Sequence, residues 1–188
     1  MKLKEQYFLW YKLLNSSFTG LSVGIIFTIY KPLEDPAIYS IGGIILACAM
    51  LIIAKFYERL LNIHRFFQIS MGVEFILLIT LLIFMSLQYT VTSALLVYIG
   101  YQFTFIFGNY LVRAETLVAK NKELLGKIDV NKQLGYLIGL GASVLFYKTL
   151  EYGFDITEAK TQISLLHYLL VTLQGVIIFV LANSFTWK

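Results

Sequence analysis

Apolar residues gather into six stretches, each close to the length that crosses a bilayer, and little of the 188-residue chain is left over. A helix rises about 1.5 Å per residue, so roughly 20 apolar residues cover about 30 Å of hydrocarbon. The stretches are Phe8–Tyr30, Ala37–Lys55, Phe66–Leu87, Thr92–Val112 or somewhat beyond, Leu134–Leu150 and Ser164–Phe185. The polar chain between them is too short for a soluble domain. The expected fold is an all-α membrane protein with six transmembrane helices, residues 1–188 forming one domain.

Charged residues make up 14% of the chain, well under the quarter or so found in soluble domains. Mean hydropathy is +0.76. Met1-Lys2-Leu3-Lys4 supplies positive charge ahead of the first stretch, but no small-residue cleavage site follows. That stretch is therefore read as a span and not as a signal peptide. The lone Cys48 allows neither a disulfide framework nor a cysteine-based metal site, and is expected to be a small apolar packing residue.

Orientation follows from the basic residues. With both termini on one face, that side receives Lys2, Lys4, Lys12, Lys55, Arg59, Arg65, Arg113, Lys120, Lys122, Lys127, Lys132 and Lys188. The other side receives Lys31, Lys148 and Lys160, so the split of the 15 is 12 against 3. The positive-inside rule then places both termini in the cytoplasm. The basic pI of about 9.0 reflects topology and contact with anionic headgroups. It gives no reason to expect nucleic acid. Two longer cytoplasmic turns, Lys55–Arg65 and Arg113–Lys132, alternate with outer connections at Lys31–Pro36, Gln88–Val91 and Glu151–Ile163. Connections this short make sequential helices antiparallel neighbours in one bundle.

The turn after the second stretch reads Ala54-Lys55-Phe56-Tyr57-Glu58-Arg59, with His64-Arg65 beyond it. The fifth stretch opens Asn131-Lys132-Gln133-Leu134-Gly135 and continues with Gly139, Gly141 and Ser143. Together with six spans and cytoplasmic termini, these features resemble one half of a major facilitator superfamily transporter. Its signature turn, G-x-L-a-D-R-x-G-R-[KR], shares the acid–Arg pair with Glu58-Arg59 and a basic residue with Arg65. Both of its glycines are absent here. The resemblance implies a 3+3 helix bundle and a half-size secondary transporter of a small molecule. Such a chain would complete its path by pairing with a second copy or a separate half, since the two halves of the fused transporter share one orientation.

Gly135, Gly139 and Ser143 stand four apart on one helix face, as do Gly43 and Ala47 on the second stretch. Small residues at this spacing let backbones approach closely in a membrane. The face serves either packing within one bundle or, as the family geometry implies, segment two of one copy lying along segment five of its mate. Ser16, Gly20 and Gly24 give the first segment a comparable face.

Polar groups in hydrocarbon are costly and normally face a cavity or a partner. On segment four, Tyr98, Gln102, Phe105, Asn109 and Arg113 share a face. On segment one, Asn15, Thr19 and Ser22 do the same. The family uses the first and fourth helices to line its central cavity, so these residues are the expected substrate path. The competing readings are snorkelling for Arg113 and a plain interhelical hydrogen bond for Gln102. Glu74 lies well inside the third segment, at the depth expected for Gln174 in the sixth. A carboxylate so placed suits proton coupling, or alternatively a structural hydrogen bond. Glu115, at the cytoplasmic end of segment four, is expected to pair with a nearby Lys or Arg.

Enzyme chemistry finds little footing. Gly141-Ala142-Ser143 is followed by Val144 and not by the glycine of an intramembrane serine protease, and His64 and His167 fall near opposite faces, unsuited to haem. Neither a metal-ligand cluster nor a phosphate-cradling loop is present, and no cofactor is expected. The expectation outside transport is a non-transporting membrane subunit whose small-residue faces bind a larger complex.

Overall fold

The computed structural model describes residues 1–29, 35–87 and 90–186. These are almost wholly helical: α1 (Glu5–Ile29), α2 (Pro36–Lys55), the short α3 (Tyr57–Leu60), α4 (Ile63–Leu87), α5 (Val91–Ile106), α6 (Gly108–Ala119), α7 (Lys122–Phe154) and α8 (Ala159–Asn183). A two-residue strand at each end, β1 (Lys2–Leu3) and β2 (Phe185–Thr186), pairs antiparallel with the other and ties the termini together.

Helix starts are encoded locally. The Asp35 carboxylate accepts the Ala37 N–H at 2.8 Å ahead of Pro36, an N-cap followed by a residue with no N–H to satisfy. Thr90 and Ser93 form a reciprocal capping box on α5, and Asn121 accepts the Leu124 N–H at 2.6 Å to start α7.

Four helical stretches are long and apolar enough to cross a membrane: Pro36–Lys55, Ile63–Leu87, Val91–Ala119 and Ala159–Asn183. The third is interrupted at Phe107, where α5 ends and α6 begins at Gly108. The surfaces agree with a hydrocarbon environment. On α2, Ile44 is 65% exposed and Leu51 67%, and Phe179 on α8 is 67% exposed. An apolar surface this extensive is not left to water. The protein is an integral membrane protein.

Helices α1 and α7 are not among those four, and both carry the residues expected for spans one and five. Their sequences are interrupted by polar and charged groups, of which Lys12, Asn15 and Lys132 are engaged inside the bundle, as described below. The expected cytoplasmic turn Arg113–Lys132 is corrected by the structure. Nearly all of it is helix, α6 running to Ala119 and α7 starting at Lys122 with only a brief break between. Lys120 makes that break in the left-handed region at φ 62°. Parts of the connections at Lys31–Pro36 and Gln88–Val91 lie outside the described residues.

The most extensive helix contact is between α1 and α7; α1 also packs on α8, α4 packs on α5 and α8, and α2 packs mainly on α5. Gly20, Gly135 and Gly139 make the α1–α7 crossing possible. A Cβ on Gly135 would strike the Leu13 carbonyl, and one on Gly139 would sit 2.8 Å from the Leu21 nitrogen and closer still to the Ser17 carbonyl. A Cβ on Gly20 would lie 3.1 Å from the Gly139 Cα. The glycine face of segment five is therefore filled by segment one of the same chain, with Ser143 buried beside it. Gly43 and Ala47 of α2 point outward and touch nothing comparable. Cys48 is exposed on the same helix, which corrects its expected packing role.

At the end where the termini meet, Phe8, Phe66, Phe67 and Phe185 pack edge to face, with ring centroids between 5.1 and 6.2 Å apart. Nearby, the Tyr110 hydroxyl on α6 donates to the Leu60 carbonyl at 2.9 Å. This phenol latches the turn between α2 and α4. The motif residues Glu58, Arg59 and Arg65 are exposed, and Arg65 Nη1 donates to Gln68 at 3.0 Å. Tyr110→Phe removes one of two donors to that carbonyl, which keeps the Asn62 N–H at 2.8 Å, and is expected to cost roughly 0.5–1.5 kcal/mol. Chemical unfolding in mild detergent would measure this, with Glu58→Ala expected to change stability little.

Candidate functional site: a buried polar network

The interior of the bundle holds two joined polar clusters. Tyr11 and Asn15, one turn apart on α1, both face Glu74 of α4. The Tyr11 hydroxyl donates to Glu74 Oε1 at 2.7 Å and Asn15 Nδ2 to the same oxygen at 2.9 Å. From α8, Gln174 Nε2 donates to Glu74 Oε2 at 2.7 Å and to the Glu74 carbonyl at 3.0 Å. Glu74 is 2% exposed and Gln174 fully buried. Three side-chain donors thus converge on this one carboxyl group.

One residue along α1, Lys12 turns the other way. Its ammonium pairs with Glu115 Oε2 of α6, while Lys132 of α7 pairs with Glu115 Oε1. Lys12 also lies 5.2 Å from the ring centroids of Phe8 and Tyr11, so aromatic faces complete its surroundings. Its side chain is 11% exposed and that of Glu115 5%. Five helices thus contribute to one connected site, α1 supplying the residues that bridge the two carboxylates. At the start of α7, beyond the apolar stretch, Lys127 donates to Glu123 at 2.5 Å and holds that carboxyl below its usual range.

Of the residues read from sequence, Glu74 and Asn15 meet here, with Gln174 at the expected depth. Glu115 has the expected basic partners. Thr19 is exposed and bonds back to the Asn15 carbonyl at 3.2 Å. Ser22 is buried, within hydrogen-bonding reach of Tyr101. Tyr98 and Gln102 line an apolar cavity between α2 and α5. Phe105, Asn109 and Arg113 are exposed. Within one chain the two stripes do not enclose a common cavity: Asn15 is engaged by Glu74, and along segment four Tyr98 and Gln102 face α2 while Asn109 and Arg113 are exposed. His167 is buried, its ring stacked on Phe84 at 4.2 Å and its Nδ1 2.7 Å from the Ile163 carbonyl.

Lys12 and Lys132 escaped the sequence reading because both count there only as positive charge on the cytoplasmic side, Lys132 at the end of the turn Arg113–Lys132 and Lys12 inside the first stretch, Phe8–Tyr30, where its place on a helix already offered a signal. Among the described residues, no group of His, Cys, Asp and Glu side chains is placed to hold a metal ion. Comparison with family models, with characterised proteins and with solved structures yields no match for this chain.

Proposed function

We propose that this chain is one six-helix half of a secondary transporter for a small molecule, working as a parallel dimer with both termini in the cytoplasm. The observation that carries this reading is a symmetry in the helix contacts. Take α1, α2 and α4 as one set, and α5 with α6, α7 and α8 as the other. Exchanging the sets in order turns the α1–α7 contact into α5–α2 and α1–α8 into α5–α4, and leaves α4–α8 unchanged. Each of these contacts thus has a counterpart, with α1–α7 much the more extensive of its pair. Because the sets start on opposite sides of the membrane, the relation is that of an inverted repeat, as within each half of a major facilitator transporter.

A second feature supports pairing. Thr19, Asn109 and Arg113 are exposed on helices that otherwise meet hydrocarbon, where polar groups are expensive. A second copy facing them would convert that surface into the wall of an aqueous path. Glu74 is the proton-coupling carboxylate in this scheme, held by donors from α1 and α8.

With the glycine face of α7 occupied by α1, the mate's α2 meets the opposite side of α7, where Gly141 has open space around it. The test is subunit counting in native-lipid nanodiscs, with oxidative cross-linking of Cys48 to a Gly141→Cys substitution. Two copies per disc and a disulfide-linked dimer are expected. One copy per disc across protein concentrations would overturn the reading and favour a subunit of some larger complex.

A further inference from the structure

At the end of the bundle where the termini meet, a cavity of about 320 Å³ lies between the turn that leads into α4 and the last turns of α6. Ile63 opens one bilayer-crossing stretch and Ala119 closes another, so the cavity sits at the level of the lipid headgroups. Leu61, Ile63, Leu117 and Val118 give it apolar walls, and its polar lining comes from Asn62 and Lys120. Among the described residues no acidic side chain lines it.

Lys120 decides what the cavity suits. It is exposed, and among the described residues it has no carboxylate partner. Its backbone is left-handed, with φ 62° and ψ −24°. Glycine or asparagine is usual at such a helix end, because a larger side chain is strained there. Strain of this kind collects at binding sites, and what lysine adds here is a cation beside the cavity. Three residues earlier, Leu117 is 57% exposed inside the end of the span. The site thus joins an ammonium at headgroup level to an apolar wall on the bilayer side. An inorganic anion would match the ammonium and leave the walls wetted. An acyl chain alone would match the walls and leave the charge without a counter-ion. A zwitterionic headgroup would bring a cation of its own, with no carboxylate in the lining to receive it. The fitting occupant is an amphiphile with a net negative head, the class that basic pockets at this level recognise.

We propose that this cavity binds one anionic phospholipid of the adjoining leaflet, its phosphate on the Lys120 ammonium and the start of its chains along Leu117 and Ile63. The site uses none of the residues of the buried polar network and stands apart from the transport reading above.

The test is native mass spectrometry of the full chain released from mild detergent, titrated with phosphatidylglycerol or with phosphatidylcholine of the same chains. One phosphatidylglycerol is expected to bind about tenfold more tightly than phosphatidylcholine. Lys120→Gly removes the cation and relieves the backbone at once. It should bring phosphatidylglycerol down to the affinity of phosphatidylcholine while thermal unfolding stays where it was or moves up, so that the loss is not one of folding. Lys120→Asn, which also suits the left-handed region, should act alike. Lys55→Ala, exposed at the end of α2 and outside the lining, should leave binding as it was, and soluble glycerol phosphate in excess should not displace the lipid. Equal binding of the two lipids, or phosphatidylglycerol binding indifferent to both substitutions at Lys120, would overturn the proposal. Lys55→Ala as damaging as Lys120→Gly would overturn it in favour of a diffuse field of basic residues. Displacement by glycerol phosphate would overturn it in favour of a site for free anions.

Discussion

Gly139→Leu is expected to abolish the folded bundle, and Gly139→Ala to destabilise it, whereas Gly141→Ala two residues along should be neutral or stabilising. Intrinsic helix propensity favours alanine over glycine by about 1 kcal/mol at both positions. Only tertiary space can reverse that sign. A Cβ at position 139 sits 2.8 Å from the Leu21 nitrogen and 2.9 Å from the Ser17 carbonyl carbon, all backbone atoms, while at 141 nothing lies within 4 Å. Backbone in a helix cannot step aside as a flexible side chain does. The α1–α7 crossing must widen, and with it the most extensive contact in the bundle loosens. Overpacking a core typically costs about 1–3 kcal/mol, and leucine adds three carbons beyond the Cβ that already collides. Thermal unfolding in detergent and the yield of monodisperse protein measure the effect. If the alanine substitutions at 139 and 141 behave alike, the close approach is not a determinant of this fold.

That pair of helices also shows how far the sequence could be read. Hydropathy located α2, α4 and α8 to within a few residues, because their outward faces meet hydrocarbon and must be apolar nearly all round. It misjudged 113–132, because a helix whose polar residues project beyond the apolar layer or turn into ion pairs has no hydropathic signature of its own. The small-residue stripe Gly135–Gly139–Ser143 was legible as a place of close approach, but its partner was not: absent side chains say that a backbone comes near, and nothing about whose. Of the two readings of that face, packing within one bundle and contact with Gly43 and Ala47 of another copy, the chain's own packing takes the first, through Gly20 on segment one, the glycine that meets Gly139.

The candidate site divides in the same way. Glu74 and Gln174 were placed at one depth by counting residues from the helix ends, and they do bond. Asn15 was read as a cavity residue because it shares a helical face with Thr19 and Ser22, yet a face some 100° wide holds both a buried edge and an exposed one. Asn15 falls on the first and Thr19 on the second. Lys12 and Lys132 were counted toward the positive cytoplasmic side. They occupy a buried cluster with Glu115, and the remaining ten basic residues on that side, 12 less these two, still outnumber the 3 opposite.

Glu115→Ala is expected to be the most damaging change of a charged residue in the chain. It would leave two ammonium groups, from α1 and α7, facing each other across an emptied site. Removing one partner of a buried ion pair typically costs about 3–5 kcal/mol, and here a single carboxylate serves two lysines, each of its oxygens committed to one of them. Lys12 has little recourse, being 11% exposed; Lys132, at 29%, has a route for its ammonium toward water. The two lysines should therefore respond differently when the carboxylate is gone. Adding Lys12→Met to Glu115→Ala removes the stranded charge and should recover a large part of the lost stability, while adding Lys132→Met should recover less. A double-mutant cycle on thermal or denaturant unfolding separates these terms, since residues in one network are not additive. The Lys12–Glu115 coupling should exceed that of Lys132–Glu115. Equal couplings would mean that Lys12 reaches water after all. Negligible ones would mean that the cluster contributes shape to the bundle and no electrostatic tie between α1, α6 and α7.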